Sequence, residues 1–66
     1  MNVVLFSNNC PRCNTLKHKL DSADVDYSVS NNFDEIMEKG FQAAPVLKVD
    51  DEYYDFGEAI NWVNKL

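Results

Sequence analysis

Four residues, Cys10-Pro11-Arg12-Cys13, hold the only two cysteines of the chain and come soon after the apolar run Val3-Val4-Leu5-Phe6. A continuous apolar run of this length reads as a strand covered on both faces. Proline directly after Cys10 opens a helix, because its missing N–H falls where a helix has no internal acceptor and its φ is already helical. The chain is thereby constrained to turn from a strand into a helix with a thiol at the helix's amino end. There the dipole, worth about 0.3–1 kcal/mol, and the neighbouring Arg12 both favour the thiolate and draw the Cys10 thiol below its ordinary range. Cys10 is the candidate nucleophile. Cys13, one turn on, shares a face with Leu16, Leu20 and Ala23. It should point towards the core with its sulfur still close to Cys10, where it can displace a partner from a Cys10 mixed disulfide.

Three other readings of the pair compete with this one. A structural disulfide needs an oxidising compartment, yet Met1 is followed by no basic and apolar leader, and a bridge across two residues closes a loop too short to constrain the unfolded chain much. A zinc site needs a second ligand pair. The only histidine, His18, lies five residues past Cys13 on what should be the exposed side of the same helix, so no metal ligand is assigned. An inert pair of buried thiols is the remaining alternative, and the proline, the arginine and the strand-to-helix placement argue against it.

Sixty-six residues make one domain, 1–66, near the lower limit at which a chain without metal or staple folds alone. An apolar content of 45%, with four Phe, three Tyr and one Trp, supplies the core. Eleven acids against six bases give a net charge of −5, which opposes nucleic-acid and anionic-membrane binding. No stretch approaches the roughly 18 apolar residues that span a bilayer. The expectation is a cytoplasmic, monomeric protein.

The patterning predicts seven elements. Asn2 to Phe6 is the first strand and Pro11 to Ser22 the first helix, with Lys17, His18 and Lys19 towards water. Val25, Tyr27 and Val29 alternate with Asp26 and Ser28 in a half-buried second strand. Asn31 and Asn32 cap a short helix from Phe33 to Lys39, with Glu35 three residues after Asn32, Gly40 as its stop, and Phe41 packing back on Ile36 or Met37. Val46 to Val49, an Asp50-Asp51 turn and Glu52 to Tyr54 form a hairpin. A last helix, capped by Asp55 or Gly57, runs from Gly57 to Leu66 with Ala59, Ile60, Val63 and Leu66 inward. Tyr53, Tyr54 and Trp62 read as packing residues. The order β-α-β-α-β-β-α closes into one α/β unit, a four-stranded mixed sheet with helices on both faces.

That order, the Cys10-Pro11-Arg12-Cys13 motif after the first strand, and Pro45 at the head of the third strand together resemble a minimal glutaredoxin of the thioredoxin-fold superfamily. The resemblance covers essentially the whole chain. It implies a thiol-disulfide oxidoreductase with Cys10 attacking and Cys13 resolving. It also implies a cis Ala44–Pro45 bond beside the cysteines, leaving the Ala44 backbone to pair with an extended peptide or with glutathione. Arg12, Gln42, Ala44, Pro45 and Glu58 are then the candidate substrate-binding residues. No tightly bound cofactor is implied, with glutathione as a candidate reductant.

Departures from the family concern the substrate. Glutathione-using members carry a cation shortly before the motif, an aromatic within it and a glycine pair before the last helix. Here stand Ser7-Asn8-Asn9, Arg12 and Asp55-Phe56, with Gly57 alone following. Glutaredoxin-like proteins that serve ribonucleotide reductase and are reduced by thioredoxin reductase lack parts of the same site. This chain resembles them in size and in those losses, but not in a Ser-Gly-Phe approach to the last helix. The implied partners are a disulfide-containing client, ribonucleotide reductase being the candidate, and glutathione or a thioredoxin reductase as electron source. Two alternatives stand beside this: a dimer carrying an iron–sulfur cluster through Cys10, and an idle adaptor of the same fold.

Overall fold

In the computed structural model, residues 2–8 and 10–66 are described. Met1, and Asn9 of the segment leading to the cysteines, lie outside them. Seven elements follow in the expected order: β1 (Val3–Phe6), α1 (Pro11–Ser22), β2 (Ser28–Ser30), α2 (Phe33–Glu38), β3 (Val46–Val49), β4 (Glu52–Tyr54) and α3 (Phe56–Asn64). The strands form one sheet in the order β2-β1-β3-β4, with β1 parallel to β2 and the other neighbours antiparallel. Among the described residues no helix is long and apolar enough to cross a membrane.

Side chains alternate across the two central strands as the pleat requires. Val3 and Leu5 of β1 and Leu47 and Val49 of β3 pack with Leu16 and Leu20 of α1 and Ala59 and Val63 of α3. Phe6 and Val46 turn the other way and meet Ile36 of α2, with Val4, Phe33, Phe41 and Tyr53 around them. The sheet is therefore covered on both faces, which is why β1 reads as a continuous apolar run and β3 as one broken only at Lys48.

Helix ends explain several boundaries. Gly40, at φ +94°, follows α2 with its N–H on the Met37 carbonyl and the Phe41 N–H on that of Ile36, a Schellman closure that lays Phe41 against Ile36. The same closure ends α1, where Asp24 takes the left-handed position at φ +56°, its N–H reaching Asp21 and that of Val25 reaching Leu20. Asp50 is also left-handed, at φ +53°, in the β3–β4 turn. It is held there by its N–H on the Asn2 carbonyl (2.7 Å) and by its carboxylate on the Asn2 N–H (2.8 Å).

Three expectations are corrected. Val29 lies on β2, an edge strand with a sheet neighbour on one side only, and remains 55% exposed, while Val25 and Tyr27 pack on the α1–α3 side as irregular chain before the strand. Asn32 occupies the cap position of α2 without a side-chain capping bond, and Glu35 is drawn instead to Lys48 and Tyr53 of the hairpin. The last helix starts at Phe56 and stops at Asn64, so Leu66 falls beyond it and is 60% exposed.

Candidate active site

The register of β1 on β3 brings the site together. Phe6 opposes Val46, so the chain leaving β1 towards Cys10 meets the chain entering β3 from Ala44. Cys10 is the N-cap residue of α1, extended at φ −72° and ψ 162°, with Pro11 opening the helix behind it. Its sulfur accepts the Cys13 N–H at 3.1 Å, so the sulfur takes the part that a Ser or Asp oxygen plays in ordinary caps. That bond directs a helix-terminal donor, and the dipole behind it, at the Cys10 sulfur.

Cys10 and Cys13 are joined as a disulfide, with Cα atoms 5.0 Å apart. The two sulfurs differ in access. Cys10 is half-buried and open to a visitor, whereas Cys13 is fully buried beneath it. The Ala44 carbonyl oxygen lies 3.9 Å from the Cys10 sulfur, and the Asn8 carboxamide oxygen lies 3.5 Å from that of Cys13.

Two depressions flank Ala44. One is lined by Arg12, Ala43, Ala44, Pro45, Asp55, Phe56 and Gly57. In it the Arg12 guanidinium sits 5.6 Å from the centre of the Phe56 ring, a cation–π contact. The other, about 180 Å³, is bordered by Asn8 and Gln42 and has Phe33, Ile36 and Met37 as its apolar wall. Ala43 and Ala44 border both. The Ala44–Pro45 peptide bond is cis.

The predicted residues are thus distributed unevenly. Cys10, Cys13, Arg12, Ala44 and Pro45 converge, and Gln42 borders the apolar side. Glu58 lines neither depression. Its carboxylate accepts the Asp55 N–H at 3.3 Å while Asp55 accepts the Glu58 N–H at 2.8 Å, a reciprocal capping box at the start of α3. Sequence reasoning missed Asn8 and Phe56. Phe56 carried a signal, since Asp55 with Glu58 three residues later marks Phe56 as the first helical residue. Asn8 carried none, because its contact with Cys13 depends on how the loop folds over α1. Among the described residues no group of three or more His, Cys, Asp or Glu side chains is arranged to hold a metal ion.

Comparison with solved structures decides the architecture. NrdH-redoxin from Escherichia coli, described as a glutaredoxin-like protein with a thioredoxin-like activity profile, superposes with a TM-score of 0.84 at 20% sequence identity, covering 100% of this chain and 95% of that one. The chain has the thioredoxin-like fold. No protein-family model matches the sequence, and no curated protein matches it. At 20% identity the likeness lies in the course of the backbone, and the chemistry has to be argued from this chain's own cysteines.

Proposed function

We propose that this chain is a dithiol:disulfide oxidoreductase of the glutaredoxin-like type that reduces a disulfide on a client protein through Cys10 and Cys13. The observation that carries the reading is the asymmetric pair: an accessible sulfur at a helix N-terminus bridged to a buried one a turn later. In the reduced protein the Cys10 thiolate attacks one sulfur of the client disulfide, which forms a Cys10–client bond and expels the other client sulfur as a thiolate that takes up a proton. Cys13 then gives up its proton and attacks the Cys10 sulfur. The Cys10–Cys13 bond forms, the second client thiol leaves, and two electrons have passed to the client. An external dithiol or reductase returns the pair to the reduced state.

The client backbone lies along Ala44, beside the Cys10 sulfur, with Arg12, Pro45 and Phe56 on one flank and Gln42 with the Phe33–Met37 wall on the other. A protein client suits this site better than glutathione alone. Arg12 and Phe56 cover the start of α3, where glutathione-using relatives present bare glycine backbone, and the Glu58 carboxylate is committed to its cap. NrdH-redoxin's thioredoxin-like activity profile points the same way, and the resemblance to glutaredoxin-like proteins that serve ribonucleotide reductase makes a thioredoxin reductase the candidate electron source and ribonucleotide reductase the candidate client class. No tightly bound cofactor enters the cycle.

A coupled assay tests this. Reduction of a protein disulfide is followed by nicotinamide oxidation with either thioredoxin reductase or glutathione plus its reductase as the source, for wild type and Cys13→Ser. Turnover with thioredoxin reductase that Cys13→Ser abolishes is the expected result. Monothiol activity surviving with glutathione in that variant would reverse the assignment of donor, and no turnover with either source would leave the idle adaptor as the better reading.

A further inference from the structure

Resting on that reading, we propose that the client is selected by an uncharged, extended segment beside its reactive cysteine. Apolar side chains at the second and fourth places from that cysteine seat in a trough that leads from Ala44 past α2 to the edge strand β2. The inner half of the trough is the depression of about 180 Å³ walled by Phe33, Ile36 and Met37. A further depression, lined by Ser7, Val29, Ser30 and Asn31, meets it at Asn8 and Phe33, which border both. Among the described residues the exposed large apolar side chains are Val29, Met37 and Leu66, and the first two stand one in each half of the trough. Charged residues make up 26% of the chain, yet none lines either half. The opposite flank of Ala44 carries Arg12 and Asp55.

The covalent step dictates what covers this surface. A mixed disulfide fixes the client cysteine beside Ala44, whose carbonyl oxygen lies 3.9 Å from the Cys10 sulfur. An extended chain advances only about 3.4 Å per residue, so the neighbours of that cysteine have to cross one flank of Ala44 or the other. Its own side chain points down to Cys10, and the pleat points those two and four places away in the same direction. An apolar cavity of about 150 Å³ holds a benzene ring, so the inner half has room for a leucine, methionine or phenylalanine side chain. Such a side chain removes apolar surface from water on both partners, Met37 and Val29 included. A lysine or glutamate in its place gives up water and meets no opposite charge. The trough therefore discriminates twice, by burying apolar groups and by refusing charged ones.

Peptides with one cysteine and the same residue at the second and fourth places on one side, leucine, lysine or glutamate, test this in both chain directions. Cys13→Ser, in which the adduct cannot resolve, is charged with one peptide and equilibrated with an excess of two reduced competitors. Each exchange forms one Cys10–peptide bond and breaks another, and a proton passes from the entering thiol to the departing one. Mass spectra give the adduct ratio, which is divided by the ratio for the same competition on a small thiol so that differences between the peptide thiols cancel. In at least one direction the leucine peptide should exceed the other two by about tenfold or more, as partial burial of two apolar side chains requires. Met37 and Val29 are exposed, so Met37→Glu and Val29→Glu leave the core intact, and each should cut the leucine preference and raise the share of the lysine peptide. A leucine peptide with no advantage in either direction, or one whose advantage either variant leaves undiminished, overturns the inference while leaving the oxidoreductase reading in place. If Cys10 forms no adduct with any peptide, the proposed activity itself fails and this inference with it.

Discussion

Replacing Asp55 by alanine removes the carboxylate that opens α3, and the consequence can be followed from the cap to the site. In the wild type Asp55 accepts the Glu58 N–H at 2.8 Å, and its own N–H is taken by the Glu58 carboxylate at 3.3 Å. Both residues are exposed, so water can replace what is lost and the penalty is that of a surface cap, about 1 kcal/mol within a range of about 0.5–2. A domain of 66 residues has a total stability of only about 3–10 kcal/mol. The melting temperature should therefore fall by about 4–8 °C, the shift expected per kcal/mol for a domain this size. Asp55→Asn, which keeps a cap acceptor, should lose only a few tenths of a kcal/mol. The first helical residue after the cap is Phe56, the ring on which Arg12 rests, so fraying should also loosen one flank of the proposed client site. Thermal melts followed by circular dichroism, together with the KM for a protein disulfide, check both parts. Equal losses for the alanine and asparagine variants would refute the capping argument, since a cap distinguishes these two residues and a general loss of side-chain bulk does not.

Two further outcomes follow from the backbone and the charges. Asp24 and Asp50 share a left-handed φ, but only Asp50 is held by a side-chain bond, so Asp24→Gly should raise stability by about 0.5 kcal/mol while Asp50→Gly lowers it; urea titrations of the two variants read the opposite signs. On the α2 side, the Tyr53 hydroxyl (2.6 Å) and then the Lys48 ammonium (3.3 Å) hold the Glu35 carboxyl below its ordinary range. A folded value lowered from 4.5 means that this tether stabilises fully above that pH and is lost as pH falls through the lowered value. Tyr53 and Lys48, each raised chiefly by its hydrogen bond to Glu35, lose their share only as pH climbs through their own raised values. Glu35→Gln should thus flatten the acid limb of a melting-temperature profile, and acid limbs that run parallel in the two proteins would count against it.

What the sequence disclosed and what it hid divide along sequence distance. The apolar runs of β1 and β3, the proline-opened α1, the glycine stop of α2 and the cysteine pair are local patterns, and each appears where the pattern puts it. Ala44 and Pro45 beside the cysteines came from the family resemblance, because no spacing rule links residues 34 apart. Glu35 looked like a capping residue because three-residue spacing from Asn32 is all that a linear reading can see. Its actual partners stand 13 and 18 residues away in the hairpin, and a charge-assisted bond to each outweighs one weak cap. The end of α1 at Ser22 also falls where the pattern puts it, although the left-handed position that closes it is taken by Asp24 rather than by a glycine. Val29 has the side chain of a buried strand residue, but alternation cannot tell an edge strand from a covered one.

The β1–β3 register ties the fold to the chemistry. Slipping β3 by one residue against β1 would turn Leu47 and Val49 away from Leu16, Leu20 and Val63 and drive Lys48 into that apolar layer without its Glu35 and Tyr53 partners. A buried, unpaired ammonium is so unfavourable that the slipped pairing is excluded. The same slip would carry Ala44 about 3.4 Å along the sheet, nearly the whole of its present 3.9 Å separation from the Cys10 sulfur. Lys48 therefore guards the site without touching it: the residue that breaks the apolar run of β3 is also the one that fixes where the Ala44 backbone stands relative to the attacking thiol.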